Sequence, residues 1–278
     1  ITLATSVIAC PVAALNIKKP LADFMHQTWT VDNGLPQSTI RGISQTKDGY
    51  LWFATHEGVA RYDGITFTVF DEATTPALRG NGVVALLAQA DGGLLLGLRD
   101  GGLVRFHLDK FTPVIPKGGL PSGAISMLAE DATGTIWVGT TGDGLARIFK
   151  GESRIYAVAD GLPGNWVTAV RPTENGDIWI GTMFGVVIFR DGELVKQPTK
   201  SWLDTANISA ILEDDKKRLW FATSGGQAFT TENLRRQQVA SQPQRIDAFD
   251  LTLASGQKTT LNAVLAPGGK VWLVDFVY

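Results

Sequence analysis

The side chains that could do chemistry are few. The sequence holds three histidines, His26, His56 and His107, and one cysteine, Cys10. That is too little sulfur for a disulfide framework or a cysteine-type zinc centre, and too little imidazole for most histidine metal sites. Only His56 is followed directly by a carboxylate, Glu57. That pair is what a lyase or lactonase would use for acid–base work, so an enzymatic reading would place its catalysis at His56 and Glu57. Gly-x-Ser-x-Gly, Gly-x-Gly-x-x-Gly, His-Glu-x-x-His, the phosphate-binding P-loop and the EF-hand loop are all absent, and no cofactor is expected. A second group suits recognition rather than reaction: Arg99, Asp100, Asp143, Asn165, Trp166, Met183 and Phe184. Acids, an arginine, an amide and aromatics together fit a sugar-like, peptide or amino-acid ligand. The Asn207-Ile208-Ser209 sequon is too short a match to carry weight.

These residues keep company with a repeat. Gly49-Tyr50-Leu51-Trp52-Phe53-Ala54-Thr55 returns as Gly134–Thr140 and Gly176–Thr182. Shorter copies are Arg218–Thr223, Gly93–Leu98 (with Leu95 in the Trp position) and Gly269–Val274. The central residues are 52, 95, 137, 179, 220 and 272, at steps of 43, 42, 42, 41 and 52. Gly34-Leu35-Pro36, Gly119-Leu120-Pro121 and Gly161-Leu162-Pro163 each set their Pro sixteen residues before the Trp. In the degenerate copies the same offset follows Leu78 and Leu203. A third element, Gly58-Val59-Ala60-Arg61-Tyr62 and its counterparts at 102–106, 144–148 and 185–189, comes after the Trp.

Each period reads as four short strands, A to D. Strand A is an apolar run such as Ile40–Gln45 or Ala124–Ala129. It closes at an Asp/Asn-Gly turn, strand B carries the Trp, strand C the Arg, and strand D follows a turn such as Asp63-Gly64, as in Ile65–Phe70. Four strands in 40–45 residues is the pattern of a propeller blade. The expected fold is therefore all-β, a β-propeller of four-stranded antiparallel blades with about six visible and room for a seventh in the ring. The Trp is expected to fill the layer between blades. The Thr after it should tie its hydroxyl to nearby backbone, and the strand C Arg should pair with a turn Asp. Phe24–Val31 stands where a strand D belongs and is expected to complete the last blade. The D–A and B–C loops share one face of the disc, and their residues vary from copy to copy. His56, Glu57, Arg99, Asp100, Asp143, Asn165, Trp166, Met183 and Phe184 all lie on them, so the ligand is expected there.

Charge and termini bound the setting. Lys and Arg number 25 against 27 Asp and Glu, a net charge of -2, which argues against a nucleic-acid binder working through a broad basic face. Lys216-Lys217-Arg218 and Arg235-Arg236 are expected to decorate a turn and a loop. Ile1–Ala14 is apolar or small and Val12-Ala13-Ala14 resembles a cleavage site, so residues 1–22 read as an export-signal remnant or lead-in and 23–278 as the propeller. Val7-Ile8-Ala9-Cys10 is a loose lipoprotein box that would lipidate Cys10, but it lacks the usual Leu.

The string Trp29…Asn33-Gly34-Leu35-Pro36…Asp48-Gly49-Tyr50-Leu51-Trp52-Phe53-Ala54-Thr55…Gly58-Val59-Ala60-Arg61-Tyr62-Asp63-Gly64…Phe67…Phe70 closely resembles the two-component regulator propeller repeat. The resemblance runs from about Phe24 to Trp272. It implies a periplasmic, non-catalytic sensor domain, tethered ahead of a membrane helix and a cytoplasmic histidine kinase or diguanylate cyclase. Partners so implied are a small molecule or a protein, with pairing of two copies an option. The departures are six copies where seven are common, and no output domain in this stretch. A protein-interaction disc is the alternative, and a lyase or lactonase the second.

Overall fold

The computed structural model describes residues 27–80, 82–196 and 202–231, together with the strand residues 251–252, 258–259, 262–266 and 270–274. Two compact units are distinguished, Thr30–Asp250 and a second formed by Ile1–Trp29 with Leu251–Tyr278. Among its described residues the first unit contains five antiparallel sheets, each one repeat of the sequence. Blade 1 is β1 (Ile40–Gln45), β2 (Leu51–Thr55), β3 (Gly58–Tyr62) and β4 (Phe67–Phe70). Blade 2 is β5 (Val83–Ala88), β6 (Leu94–Leu98), β7 (Leu103–His107) and β8 (Lys110–Val114). Blade 3 is β9 (Ile125–Glu130), β10 (Ile136–Thr140), β11 (Leu145–Phe149) and β12 (Glu152–Tyr156). Blade 4 is β13 (Val167–Pro172), β14 (Ile178–Thr182), β15 (Gly185–Arg190) and β16 (Glu193–Val195). Blade 5 has three described strands, β17 (Ile208–Glu213), β18 (Leu219–Thr223) and β19 (Ala228–Thr230). Strand order within each sheet follows the chain, and the A strands β1, β5, β9, β13 and β17 lie beside one another. This is the β-propeller expected from the repeat. The second unit contributes two hairpins, β20 (Leu251–Thr252) with β21 (Lys258–Thr259), and β22 (Asn262–Ala266) with β23 (Lys270–Val274). The latter pair falls on the A and B strands of the sixth copy.

The apolar core is a series of layers between blades. Trp52 is fully buried and stacks on Phe70 of its own blade, centroids 5.8 Å apart, while meeting Phe106 of blade 2 at 4.8 Å. Trp137 meets Phe189 of blade 4 at 4.8 Å, and Trp179 meets Phe221 of blade 5 at 5.5 Å. An indole thus bridges the roughly 10 Å between packed sheets. Between blades 2 and 3 Leu95 takes that place, with Ile125, Val138 and Ala146 closing around it. The A–B turn anchors the indole N–H: Trp137 Nε1 donates to Asp131 Oδ2 and Trp220 Nε1 to Asp214 Oδ2, each at 2.9 Å, and Trp52 Nε1 to Thr46 Oγ1 at 3.0 Å.

The leucine of Gly-Leu-Pro proves to be the constant part of that element. Leu35, Leu78, Leu162 and Leu203 are all buried although two of them lack the Gly and the Pro, and Leu120 is partly buried; Leu78, Leu162 and Leu203 pack into the layers between blades. In two of the three copies that have it, the Gly ends a 3-10 turn, Val31–Asn33 or Val158–Asp160, in the left-handed region. The Asn33 and Asp160 side chains accept the N–H of Thr30 and Ala157 across that turn.

Two strand expectations are corrected. Strand D of blade 1 starts at Phe67, not Ile65, because Asp63 Oδ1 accepts the N–H groups of Ile65 and Thr66, both at 2.7 Å, and holds them in the turn. Phe24–Val31 is not a strand over its described part: 27–30 are irregular and Val31 opens the 3-10 turn. Residues 24–26 lie outside the described residues, as do the 1–22 segment, the 22/23 boundary, Cys10, His26 and Arg235-Arg236. The strand C arginines divide their roles. Arg105 pairs with Asp91 of its own blade's turn, and Arg61 with Asp109 of the next blade's at 3.4 Å. Arg147 instead lies over Trp137 and Phe189, its buried Nε without a partner. In the β17–β18 turn Lys217 meets Glu174 of blade 4 and Arg218 meets Asp214.

The turn carboxylates make the fold sensitive to acid. Burial pushes the Asp131 carboxyl up, but hydrogen bonds from Thr133, Trp137 and Thr135 outweigh it and hold Asp131 below its ordinary 3.8. At Asp177 the Arg190 guanidinium is the main cause of the depression. Because these groups are depressed in the folded state, the unfolded chain takes up protons first. Their stabilisation is complete above the unfolded value of 3.8 and drains away as pH falls through the folded values. Melting temperature is expected to hold from roughly pH 7 to 5 and to fall below about pH 4. Arg190→Met should make that fall shallower; a melting temperature that rises on acidification contradicts the assignment.

Candidate functional site: the loop face

One hydrogen bond recurs in every blade and shows that the D–A and B–C loops share a face. The first residue after each strand B donates its N–H to the D–A loop. Arg99 donates to Gly82 O at 2.8 Å, Thr141 to Ala124 O at 3.0 Å, Met183 to Trp166 O at 3.2 Å and Ser224 to Asn207 O at 3.0 Å. In blade 1 a side chain replaces the carbonyl: His56 N–H donates to Gln37 Oε1 at 3.2 Å. The Thr that ends strand B clamps the loop as expected. Its hydroxyl donates to Gly58 O, Gly144 O and Gly185 O from Thr55, Thr140 and Thr182 at 2.8–3.0 Å. The same oxygens accept the N–H of Glu57, Asp143 and Phe184 at 3.1 Å.

Some of the expected ligand residues are consumed by this lattice. Asp143 Oδ2 accepts from Ser122 Oγ at 2.8 Å and from Gly123 N–H at 2.6 Å. Asn165 accepts Gly142 N–H and Gly144 N–H on its carbonyl and Val158 N–H on its side chain, so it joins blade 3 to blade 4. Asp100 sits against Gly80, its Oδ2 2.5 Å from where a Cβ on that glycine would stand. Glu57 is exposed. Trp166 and Phe184 keep open surface, 46% and 61% exposed. Phe184 lies over Gly164, whose missing Cβ would fall 2.6 Å from the ring, and Met183 is tied to Trp166 by the backbone bond above. Blade 4 therefore presents two aromatic faces on a glycine-floored step. His107, at the end of β7, is half-buried, and its Nδ1 has no partner.

His56 and Arg99 do meet, and they bring a residue that the sequence reading missed. The A strands β1, β5, β9, β13 and β17 each carry one extra residue relative to the partner, which marks a bulge: Arg41, Val84, Ser126, Thr168 and Ser209. A bulge re-aims its side chain. Ser126 and Thr168 use theirs to donate to backbone oxygens of Val167 and Gly181. Arg41 Nε instead donates to His56 Nε2 at 2.5 Å, while Arg99 Nη1, from blade 2, lies 3.1 Å from His56 Nδ1. Aligning the repeats on the bulge shows Arg41 as the one charged member of its column, and that was the signal available. Burial holds the His56 imidazole below its ordinary value, with Arg41 and Arg99 adding to the depression and Glu57 opposing it. The ring is therefore held neutral, and both nitrogens face guanidiniums rather than Glu57. Among the described residues no group of three or more His, Cys, Asp or Glu is placed to hold a metal ion, and no helix is long and apolar enough to cross a membrane.

Comparison with known proteins agrees with the architecture. The family described as Two component regulator propeller matches residues 34–57, 119–142, 161–184 and 203–225, each stretch running from the Gly-Leu-Pro position into the B–C loop. Histidine kinase P4 of Formosa agariphila is 35% identical over 65 residues, 23% of this chain and 5% of its own length. The extracellular domain of the hybrid two component system BT3049 from B. thetaiotaomicron superposes with a TM-score of 0.66 at 20% identity, over 87% of this chain and 32% of that one. A streptogramin B lyase superposes at 0.59 with 15% identity, over 86% of this chain and 91% of the lyase. The chain thus spans about a third of the length of the two-component structure and a twentieth of the kinase. At such identities the superpositions speak for the propeller fold, while the four matched stretches, at 34–57, 119–142, 161–184 and 203–225, carry the two-component regulator propeller repeat.

Proposed function

We propose that this propeller is the extracytoplasmic sensor domain of a membrane-tethered signalling protein, a histidine kinase or diguanylate cyclase, and that it receives a small ligand on its loop face without catalysing a reaction. The observation that carries the reading is the division of labour on that face. A regular hydrogen-bonded lattice holds the loops rigid, and on it Trp166 and Phe184 stand exposed although the adjoining strands β14 and β15 bury their apolar side chains. Rigid exposed aromatics on a scaffold suit a sugar ring or an aromatic amino-acid side chain. The family match and the likeness to the extracellular domain of a hybrid two component system support the sensor role. The non-catalytic reading is supported by His56, whose two nitrogens face arginines and not an acid–base partner.

The test is a panel of neutral sugars, amino acids and short peptides, followed by thermal shift and tryptophan fluorescence. At least one class is expected to raise the melting temperature saturably. Phe184→Ala should weaken its binding about tenfold or more, the scale of about 1.4 kcal/mol for one stacked ring. If only a folded protein binds, the interaction-disc reading replaces this one. Turnover of any panel member that His56→Ala abolishes would make the domain an enzyme.

A further inference from the structure

We propose that Arg41, His56 and Arg99 form an oxyanion subsite on the loop face, which takes a carboxylate, phosphate or sulfate group of the ligand. The inference rests on that face being the ligand face.

The argument starts from the imidazole. A neutral ring has one lone pair and one N–H. With Arg41 Nε donating to Nε2 at 2.5 Å, the proton must sit on Nδ1, which then points at the Arg99 N–H group 3.1 Å away. In the other tautomer the conflict moves to Arg41. No protonation state of His56 satisfies both contacts, and the imidazolium would put three cations together. Every carboxylate within 4 Å of an arginine among the described residues belongs to Arg61, Arg105, Arg190 or Arg218. Arg41 and Arg99 have none, and both are exposed. The cluster is also placed by structure rather than left as a solvated surface charge. The β1 bulge aims Arg41, the Gln37 amide fixes the His56 backbone, and the Gly82 carbonyl fixes that of Arg99. Two guanidinium forks converging on one imidazole are what a planar or tetrahedral oxyanion accepts from.

A bound oxyanion resolves the conflict, since it accepts from both guanidiniums and from the ring N–H. It also offsets the two positive charges that disfavour protonation. The groups facing His56 are Arg41 from β1, Arg99 from the neighbouring blade's loop and Glu57 beside it. Binding is therefore expected to draw a proton onto His56 and to tighten as pH falls toward 5.5, with Glu57 alone acting in that direction in the free protein.

The experiment titrates the protein with sulfate, inorganic phosphate and acetate at constant ionic strength set by chloride. The His56 ring signals are followed by NMR and assigned by their loss in His56→Gln. Expected are a saturable shift of the His56 ring, an upward move of its titration midpoint of about one unit, and a loss of affinity of tenfold or more in Arg41→Ala and in Arg99→Ala. Preference for acetate marks a carboxylate ligand; preference for phosphate or sulfate marks a phosphorylated or sulfated one. No saturable shift between pH 5 and 8, or unchanged affinity in both arginine variants, overturns the subsite. If neutral ligands still bind in an Phe184-dependent way when the oxyanions fail, the loop-face reading stands and this inference alone falls. If neither set binds, both fall.

Discussion

Trp137→Ala is expected to lower the stability of the propeller by about 3–5 kcal/mol, the range for emptying a buried large aromatic position. Trp137 is only 1% exposed. It sits between blades 3 and 4 with Leu145, Tyr156, Leu162, Val167, Ile180 and Phe189 around it. Two sheets held apart by other side chains cannot collapse onto the vacated volume, so the cavity contribution adds to the lost transfer free energy. The indole N–H has a separate role, because it is one of the donors that hold Asp131 ionised. Trp137→Phe keeps most of the packing and removes that donor, so a smaller loss is expected, about 1–2 kcal/mol. Denaturant unfolding of both variants beside Trp220→Ala checks the argument, since Trp220 occupies the same repeat position but is only partly buried. A loss at Trp137 no greater than at Trp220 would show that the indoles are not the wedges between blades.

Gly144→Ala is expected to cost about 3 kcal/mol or more. Gly144 immediately precedes β11 with φ 86°, and a Cβ there would stand 2.1 Å from the Tyr156 carbonyl oxygen, backbone that cannot swing aside. Gly176, in the A–B turn of blade 4, has nearly the same φ, 88°, with nothing within 4 Å of its missing Cβ. Gly176→Ala thus carries the left-handed backbone cost alone, about 1–2 kcal/mol. The difference between the two variants isolates the collision of the B–C loop with the end of strand D. Equal losses would mean that strand D moves away freely. The glycine at the start of strand C is therefore needed for close packing inside a blade, and the same holds at Gly58, where the Phe70 oxygen lies 2.3 Å from the missing Cβ.

Much of the fold was legible because it is local and repeated. The indole N–H and the following Thr hydroxyl find their partners within six residues of chain, and the strand C Gly meets strand D twelve residues on, so their spacing survives as a period. The buried leucine at the D–A loop shows the limit of that legibility. Gly and Pro drew the eye in three copies, yet Leu78 and Leu203 seal their layers without either, because it is the leucine that meets the neighbouring blade. Strand ends were misplaced where a side chain captured backbone donors, as Asp63 does for Ile65 and Thr66.

The candidate site was legible as a face but not as a set of partners. Loop membership follows from strand order, so His56, Arg99, Trp166 and Phe184 could be assigned to one side of the disc from the chain alone. Whether a loop side chain is spent or left over depends on which groups the facing loop, of its own or of the adjoining blade, brings within about 3 Å, at separations from 15 to 43 residues in sequence. The loop entering its own blade committed Asp143 to the lattice, contact with blade 3 committed Asn165, and a one-residue bulge turned Arg41 toward His56 of the same blade while Arg99 came in from the next. The residues and their period determined a propeller with one variable face; only the tertiary approach of one loop to another, within a blade and between blades, decided which of those variable side chains are bonded and which stay exposed.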